Sequence, residues 1–350
     1  MNNPDLNSAP AAPDAQAAPP HAQVIQMVGG LVVARAVYAL AELGIADHLK
    51  EGPRSSDEIA EATGTHAPSL YRLLRTTAGL GFFTEDSDRR FSLTPLGAAL
   101  RSDAPGYARS SVRTLAGPIA WGAMGEFLHS LRTGESGVEK AQGMPLFDYL
   151  GTEPEQAGRF NETMIGFHGA EPPTVASAYD FSGVARLVDV GGGTGNLLTT
   201  ILLANPGLRG TLYDLPHVAQ EARRQIELKG LSDRCEVTEG SFFESIPPGG
   251  DAYILSHIIH DWDEPKCLKI LENCRKAIGD QGRLLLVEMV IPEGNESHPG
   301  KFLDLMMLVF TGGMERSEGE YSALLAKAGF KLTRVVPTQS PVSVVEARPV

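Results

Sequence analysis

Short apolar runs alternate with segments of helical period over the second half of the chain. Between residues 181 and 350 the runs are ARLVDVGG, GTLYDLP, CEVTEGSFF, DAYILSHI and GRLLLVEMV, each as long as a strand buried on both faces. Strand and helix signals in alternation indicate an α/β fold, because parallel strands need helical crossovers between them. The pattern therefore predicts a mostly parallel, doubly wound sheet over residues 181–350.

The first half of the chain has a mainly helical pattern. Residues 23–43 are apolar at helical spacing, which predicts a helix buried against another helix, and a second copy of the chain is one source of that partner. Two short helices then precede strand-like runs at 82–84 and 91–93, as in a winged helix-turn-helix. The predicted organisation is a disordered tail at 1–20, a winged-helix domain at 21–105, a helical segment at 106–180 and the sheet domain at 181–350.

Composition and charge narrow the class of protein. Hydrophobic residues make up 42% and charged residues 21% of the chain, close to globular averages. The net charge of −13 disfavours non-specific phosphate binding, and residues 21–109 hold nine Lys and Arg against ten Asp and Glu. A DNA-binding module usually shows a basic face, so a winged-helix regulator that binds nucleic acid is the weaker alternative. Three cysteines without a CxxC pair, no signal pattern and no run of eighteen apolar residues predict a cytoplasmic protein that spans no membrane.

A glycine-rich loop follows the first strand of the sheet domain. Gly191, Gly193 and Gly195 occupy alternate positions, which lets the backbone approach a ligand where a Cβ would collide. Asn196 stands where a dinucleotide motif places its third glycine, and Asp214 ends the next strand, where a carboxylate can bind both ribose hydroxyls. No phosphate loop or basic cluster accompanies the glycines. A plain tight turn is the structural alternative, and the ligand that fits is a nucleoside without phosphates, commonly S-adenosylmethionine.

Histidines and carboxylates end the fourth and fifth predicted strands. His257 and His260 follow the fourth strand, Glu288 ends the fifth, and Glu315 follows a helix and a loop. In a doubly wound sheet these strand ends meet at the edge that carries the glycine loop. An imidazole oriented by a carboxylate is the arrangement of a general base, and such a base contributes about 10²–10⁴-fold when a phenol of pKa near 10 attacks a sulfonium methyl. We therefore predict that His260 is the base for methyl transfer to a phenolic hydroxyl.

Each of these residues also has a structural interpretation. Of two histidines on one turn, one commonly packs, and His257 is the candidate here. His257, His260 and Asp261 could be metal ligands, but no further His or Cys cluster supplies the remaining positions, so no metal is predicted. Asp261 also stands at a natural N-cap for the helix in DEPKCLKILENCRKAI, and Trp262 can serve packing alone.

Several motifs of the sheet domain belong together: LVDVGGGTG, YDLPHV, GSFFESIP, HIIHDWDEPKCLKIL, VEMVIP and GGMERSEGEYSALLAKAGF. As a set they resemble the S-adenosylmethionine-dependent O-methyltransferases related to plant caffeic acid O-methyltransferase, a family that includes bacterial enzymes acting on polyketides and other aromatic natural products. The resemblance implies a Rossmann-like methyltransferase domain with an N-terminal winged-helix dimerisation domain, and hence a homodimer. It also implies S-adenosylmethionine as cofactor, S-adenosylhomocysteine as product, no metal, and a small aromatic substrate.

Carried over by motif, the resemblance gives the main site residues their roles. His260 of the HDW motif matches the general base, and Glu288 and Glu315 match the two acids that hold it in place. Gly191 matches the cofactor-loop glycine, and Asp214 matches the acid that binds the ribose. The expected function is therefore methyl transfer to an aromatic hydroxyl, and N- or C-methylation is the alternative within the fold.

Other candidate site residues depart from the family's motif or match it less specifically. Ser241 and Phe242 occupy the adenine-binding pair, although the family commonly has Asp at the first position, and Ser256 stands where plant members have a lysine. Gly193 completes the cofactor-binding set. The acceptor pocket is expected between the late helix and the helices before the sheet domain, and its predicted residues are Met144, Phe147, Phe160, Asn161, Met164, Asp304 and Met307. An amphipathic core helix explains Met307 equally well.

Overall fold

The computed structural model describes residues 18–350, which divide into two compact units on either side of the step from Gly97 to Ala98. The predicted tail falls largely on residues 1–17, outside the described part of the chain. The helical segment predicted at 106–180 belongs to the same compact unit as the sheet.

The N-terminal unit is helical with one small sheet. Its β-strands are antiparallel in the order β1-β3-β2, and Glu58 and Ser55 close a reciprocal capping box at the start of the third helix. The two helices and the hairpin predicted for a winged helix are therefore present. The elements are α1 (Pro20–Glu42), α2 (Ile45–His48), β1 (Arg54–Ser55), α3 (Ser56–Thr63), α4 (Ala67–Gly79), β2 (Phe83–Glu85), β3 (Arg90–Leu93) and α5 (Pro95–Ala98).

Helix α1 has an apolar surface that the rest of residues 18–350 leaves exposed. Ile25, Met27, Val28 and Val32 are each more than half exposed, with Met27 at 77%. By length and composition alone, α1 is the helix of residues 18–350 that could cross a membrane. A contiguous apolar surface of this kind marks an interaction site. The partner helix predicted from the sequence is therefore not found among residues 18–350.

Seven helices precede the sheet in the C-terminal unit. Proline begins α7 and α11, where its missing N–H costs no helical hydrogen bond. Ala123 and Val138 from this set pack on Val309 of a later helix and form a small core of their own. The elements are α6 (Ala108–Leu115), α7 (Pro118–Gly125), α8 (Phe127–Thr133), α9 (Gly137–Gln142), α10 (Leu146–Thr152), α11 (Pro154–His168) and α12 (Glu171–Ala178).

Within residues 98–350, seven strands form one sheet in the order β6-β5-β4-β7-β8-β10-β9. The first five of these strands are parallel, and β10 lies antiparallel between β8 and β9. The elements are β4 (Arg186–Val190), α13 (Asn196–Ala204), β5 (Arg209–Asp214), α14 (Pro216–Leu228), β6 (Cys235–Glu239), β7 (Ala252–Ser256), a 3₁₀ turn (Ile259–Asp261), α15 (Glu264–Ala277), β8 (Arg283–Glu288), α16 (Pro299–Phe310), α17 (Glu318–Lys327), β9 (Phe330–Pro337) and β10 (Ser343–Pro349).

The sheet is buried on both faces, as predicted. Along β4, Leu187 belongs to one hydrophobic core, with Leu198 of α13, and Val188 belongs to the other, with Leu271 of α15. This alternation follows from the two-residue period of a strand covered by helices on both sides. The doubly wound α/β fold is thus confirmed, and the carboxyl ends of β4, β5, β7 and β8 share one edge.

Candidate active site

The loop after β4 is shaped by its glycines. Gly191 has a φ of +72°, and a Cβ at this position would come within 2.6 Å of the Ile258 side chain and 3.4 Å of the Phe242 ring. Gly193, at a φ of +58°, has no heavy atom within 4 Å of the place a Cβ would take. The loop therefore packs tightly against Ile258 at Gly191. At Gly193 it leaves open space where a ligand can approach the backbone.

Asp214 at the end of β5 is tied to the same loop. Its Oδ2 accepts a hydrogen bond from the Gly193 N–H at 2.8 Å, and its Oδ1 accepts one from the Leu215 N–H at 2.7 Å. Burial raises the pKa of this carboxyl, and the two backbone hydrogen bonds oppose that rise. The carboxylate predicted to bind a ribose thus lies directly beside the glycine loop.

The predicted adenine pair lies at the same edge. The Phe242 ring, already in contact with the glycine loop, makes edge contacts with Phe243 and Trp262 at centroid distances of 4.8 and 6.2 Å. Ser241 uses its Oγ locally, accepting a hydrogen bond from the Phe243 N–H at 3.3 Å. Ser256 ends β7, half-buried, opposite Val287 of β8. Phe242 is therefore placed to pack a flat ring, whereas neither serine offers the charged group that the family pattern has there.

His260 is hydrogen-bonded to one of the two acids predicted for it and lies close to the other. Its Nδ1 lies 2.6 Å from Glu315 Oε1 and 3.6 Å from Glu288 Oε2, and the ring is 6% exposed. Glu288 also accepts the Ile259 N–H at 2.9 Å, which fixes the turn that carries the histidine. The ring's Nε2 has no hydrogen-bond partner within residues 18–350; Asp261 Oδ1, at 3.7 Å, is beyond hydrogen-bond distance. Nε2 is therefore the atom of this imidazole that remains free to take a proton.

The GGMER segment explains why Glu315 can reach the histidine. A Cβ on Gly313 would lie 2.0 Å from the His260 carbonyl oxygen, so only glycine allows this approach. The Met314 N–H donates to the same oxygen at 2.9 Å, and the buried Arg316 guanidinium donates to the Ile259 carbonyl at 3.2 Å. Backbone contacts thus align the segment with the 3₁₀ turn that carries His260.

The charges around His260 raise its pKa. Burial by itself lowers the pKa of this imidazole, but Glu288, Asp261 and Glu315 raise it to about 10. Burial also raises the pKa of Glu288, and it raises that of Asp261 to about 6. His260 is therefore a much stronger base than an ordinary histidine, with a proton affinity close to that of a phenolate.

A second imidazole cluster adjoins the first and was missed by the sequence analysis. Glu171 Oε2 lies 2.7 Å from His257 Nε2 and 3.2 Å from His168 Nδ1, and the two imidazole rings are 3.7 Å apart. The spacing of His168 and Glu171 places them on neighbouring turns, but no sequence signal links them to His257, eighty-six residues further on. His257 thus packs, as predicted, but as part of a polar cluster at a φ of +54°.

Two structural roles considered for Asp261 and Trp262 can be compared with the structure. The expectation that Asp261 caps the following helix is wrong, because Asp263 is the N-cap and accepts the Lys266 N–H at 2.9 Å. Asp261 instead lies in the 3₁₀ turn beside His260. Trp262 packs, as considered, on Phe147 and Phe243 at 5.6 and 4.9 Å.

The predicted pocket residues fall into groups. Phe147 contacts both Phe160, at 6.3 Å, and Trp262, which brings together α10, α11 and the residue that follows the 3₁₀ turn. Asp304 lines a cavity of about 320 Å³ with Trp262 and Met314. The remaining four are not brought together by any such contact: Met144 and Asn161 are exposed, Met164 is half-buried, and Met307 is buried in α16. Their roles in acceptor binding stay predictions.

Comparison with known families agrees with this geometry. A family model described as an O-methyltransferase domain matches residues 121–331, and one described as an O-methyltransferase dimerisation domain matches residues 25–103. The chain belongs to this O-methyltransferase family. The dimerisation match includes most of the exposed apolar helix α1.

Relatives of this family member match along nearly the whole chain. Phenazine O-methyltransferase PhzM of Lysobacter antibioticus is 44% identical over 96% of this chain and 98% of its own length. A crystal structure of LaPhzM has a TM-score of 0.88 at 44% identity, covering 95% of this chain and all of that one. The O-methyltransferase NcsB1 from neocarzinostatin biosynthesis, solved with S-adenosylmethionine and 2-hydroxy-5-methyl naphthoic acid, has a TM-score of 0.82 at 36% identity, covering 91% and 96%.

Not every relative methylates oxygen. An 8-amino-8-demethylriboflavin N,N-dimethyltransferase of Streptomyces davaonensis is 36% identical over 91% of this chain and 92% of its own length. Aclacinomycin 10-hydroxylase RdmB of Streptomyces purpurascens is 34% identical over 88% and 84%. The family model therefore gives the fold and the O-methyltransferase domain, but these relatives show that the acceptor atom has to be argued from the site.

Proposed function

We propose that this protein transfers the methyl group of S-adenosylmethionine to a hydroxyl of an aromatic small molecule, with His260 as general base. The observation that supports this best is the state of the His260 ring. Glu315 holds Nδ1 at 2.6 Å and keeps a proton there, so Nε2, which has no protein partner in the described chain, is the nitrogen that loses its proton when the imidazolium ionises and then presents a lone pair to the acceptor. Transfer to an oxygen that must lose a proton is the chemistry that such a base assists.

The residues at the sheet edge fit the cofactor. The space at Gly193 admits a ligand close to the backbone. Asp214, which is hydrogen-bonded to the same loop, would accept hydrogen bonds from the ribose hydroxyls. Phe242 would pack on the adenine, while backbone or water contacts would replace the carboxylate that Ser241 lacks. When bound, the cofactor supplies a methyl group on a positively charged sulfur. No residue of this set requires a metal ion.

Each of the catalytic residues has a separate role in the reaction. His260 Nε2 takes the proton of the acceptor hydroxyl as that oxygen bonds to the methyl carbon and the carbon–sulfur bond breaks. Glu315 keeps the imidazole in the required tautomer, and Glu288 adds negative charge that stabilises the imidazolium formed. Phe147, Phe160 and Trp262 hold a flat acceptor beside this base, which contributes by orientation.

We also propose that the active form is a homodimer through residues 25–103. The dimerisation match and the exposed apolar face of α1 support this assembly. Sedimentation of the purified protein should give a mass near twice 37.4 kDa. A monomer at micromolar concentration would contradict it.

The decisive experiment supplies methyl-labelled S-adenosylmethionine with a panel of phenols, catechols, hydroxylated polycyclic quinones and aromatic amines. We expect labelled O-methyl products and S-adenosylhomocysteine in equal amounts. Methylation confined to the amines would overturn the choice of oxygen. In parallel, Asp214→Ala should weaken cofactor binding in calorimetry by about 10–100-fold, because the lost hydrogen bonds involve a charged acceptor; unchanged binding would remove Asp214 from the cofactor site.

A further inference from the structure

Arg316 brings a buried positive charge to the surroundings of His260. The residue is 3% exposed, and within residues 18–350 its guanidinium forms no ion pair with a carboxylate. Taking a guanidinium out of water without an ion partner is costly, because hydrogen bonds alone must replace its hydration. The hydrogen bonds that the guanidinium makes instead therefore identify its role.

The guanidinium joins the 3₁₀ turn to the GGMER segment. Its Nη1 donates to the Ile259 carbonyl at 3.2 Å and to the Met314 carbonyl at 3.1 Å, and its Nη2 donates to the Cys267 Sγ at 3.5 Å. Ile259 directly precedes His260, and the Cys267 Sγ also donates to its carbonyl, at 3.2 Å. Met314 directly precedes Glu315. One nitrogen atom thus bridges the residue before the base and the residue before the acid bonded to it.

The backbone of Arg316 contacts a third segment. It forms a parallel bridge with Val290, and its carbonyl accepts the Ile291 N–H at 3.1 Å. Both of these residues come shortly after Glu288, which ends β8. Arg316 is therefore in contact with each of the three segments that supply the base and its two acids.

The two acids do not align these segments by themselves. Glu315 uses its Oε1 for His260, and Glu288 uses its Oε1 for the 3₁₀ turn. The Oε2 atom of each acid is buried without a hydrogen-bond partner in the described part of the chain. The position of each carboxylate therefore depends on the backbone that carries it. A shift of about 1 Å would lengthen the contact with His260 beyond hydrogen-bond distance.

We propose that Arg316 is a positioning residue for the methyl transfer, which holds the turn of His260 against the segments of Glu288 and Glu315. In this role Arg316 acts through His260 and takes no proton itself. The inference rests on the proposed function, because it assumes that His260 is the base. It adds to that function a residue outside the set of base, acids and cofactor-binding side chains.

The first measurement follows the hydrogen bond between His260 and Glu315 by proton NMR of the full-length protein saturated with S-adenosylhomocysteine. Since the pKa of His260 is about 10, its ring is an imidazolium at neutral pH, and a short, charge-assisted hydrogen bond places its Nδ1 proton signal far downfield of the amides. The signal is assigned by its loss in His260→Gln. It should persist in His129→Gln, a change at a histidine paired with Glu135 outside the site.

Two variants of Arg316 then test the positioning. Arg316→Met keeps an apolar stem of similar volume, and folds commonly tolerate such an exchange of a buried charge. We expect the downfield signal to be lost in Arg316→Met. It should return in Arg316→Lys, because an ammonium can donate to the same two carbonyls. Calorimetry with S-adenosylhomocysteine checks that each variant is folded, and Arg316→Gln replaces Arg316→Met if that variant does not bind.

Steady-state kinetics measure the effect on the reaction. In Arg316→Met kcat should fall by about 10–100-fold, because a misplacement of about 1 Å has a cost of this size. The KM of the acceptor and the affinity for S-adenosylhomocysteine should stay as in wild type, and Arg316→Lys should recover most of kcat. Arg275→Met, which removes an ion pair with Asp280 at the other end of α15, is the matched control and should keep the wild-type kcat.

The outcomes distinguish the two proposals. If Arg316→Met keeps both the downfield signal and the wild-type kcat, or if Arg316→Lys recovers neither, the positioning role is wrong. If the signal is lost in Arg316→Met and returns in Arg316→Lys while kcat stays constant, the positioning role is supported and His260 is not the base.

Discussion

Two carboxylate–imidazole clusters lie side by side in this protein. One has several carboxylates around a single imidazole, and the other has a single carboxylate between two imidazoles. Around His260 one imidazole faces Glu288, Glu315 and Asp261, whereas Glu171 alone serves two imidazoles in the neighbouring cluster. Both clusters are buried, so both lose hydration that stabilises charge. The His260 and His257 rings are nevertheless only 5.2 Å apart.

The different ratio of carboxylates to imidazoles shifts the pKa values of His260 and His257 in opposite directions. Burial lowers the pKa of both, but the surrounding acids raise that of His260 to about 10, while His168 and the remaining groups leave that of His257 at about 4. Burial would raise the pKa of Glu171, yet hydrogen bonds from its two imidazoles lower it to about 2. The same two residue types therefore yield a strong base in one cluster and, in the other, an ionised Glu171 that holds a neutral His257.

The largest effect should come from removing the base. His260→Gln keeps a hydrogen-bonding side chain of similar reach but cannot take the proton, so kcat should fall by about 10²–10⁴-fold. Cofactor affinity, measured by calorimetry, should stay the same because His260 is not among the cofactor-binding residues. His129→Gln serves as the control for the substitution itself. A variant with near wild-type kcat at neutral pH would show that His260 is not the base.

The second prediction concerns the stability of the fold at low pH, and it involves the cluster of Glu171 and His257. The pKa of Glu171 is below its ordinary value, so its contribution is present above about pH 4.5 and is lost as the pH falls towards 2. His257, with a lowered pKa, adds a loss between about pH 6.5 and 4, because the unfolded chain binds that proton first. Glu171→Gln should therefore cost about 2 kcal/mol at pH 7, and the gap to wild type should narrow on acidification.

Urea unfolding at a series of pH values measures this gap. Glu264→Gln, which breaks an exposed ion pair with Lys327, is the control and should cost well under 1 kcal/mol at every pH. A gap for Glu171→Gln that stays constant with pH would show that its charge does not stabilise the cluster.

The smallest effect tests what one of the three acids contributes to His260. In wild type, kcat/KM should rise with pH between about 6.5 and 10, as the imidazolium of the free enzyme loses its proton. Glu315→Gln still accepts the Nδ1 hydrogen bond but removes one negative charge, so the rising limb should move to lower pH and the plateau should fall about tenfold.

The measurement is a pH profile of kcat/KM, corrected for ionisation of the acceptor itself. Glu318→Gln, at an exposed position nearby in the chain, is the control and should keep the wild-type profile. A limb that stays in place in Glu315→Gln would mean that Glu315 orients His260 without setting its pKa.

Much of the fold and of the first cluster could be predicted because their signals are local. Neighbouring residues are enough to predict the strands, the helices and the glycine loop. Once the sheet is parallel, the carboxyl ends of β7 and β8 must lie at the same edge. Glu315 could be assigned through its motif, and its contact with His260 requires only that Gly313 lets two backbones approach.

The cap of α15 shows a local signal that the sequence analysis missed. Asp261 and Asp263 are both good N-cap residues two positions apart. Pro265 is the further signal that favours Asp263, because the missing N–H of proline costs no helical hydrogen bond only in the first turn. In the structure Asp263 begins the helix, and Asp261 lies beside His260 in the 3₁₀ turn, where Glu288 accepts the Ile259 N–H.

By itself the amino-acid sequence determined the α/β architecture, the glycine loop with Asp214, and the identity of His260 and its two acids. Only the tertiary structure decided that Glu171 from α12 meets His257 after β7, and that His168 is left with an open nitrogen beside them. The physical reason is distance along the chain: helical and strand periods act over a few residues, whereas a hydrogen bond between residues 171 and 257 exists only once the helices have packed against the sheet edge.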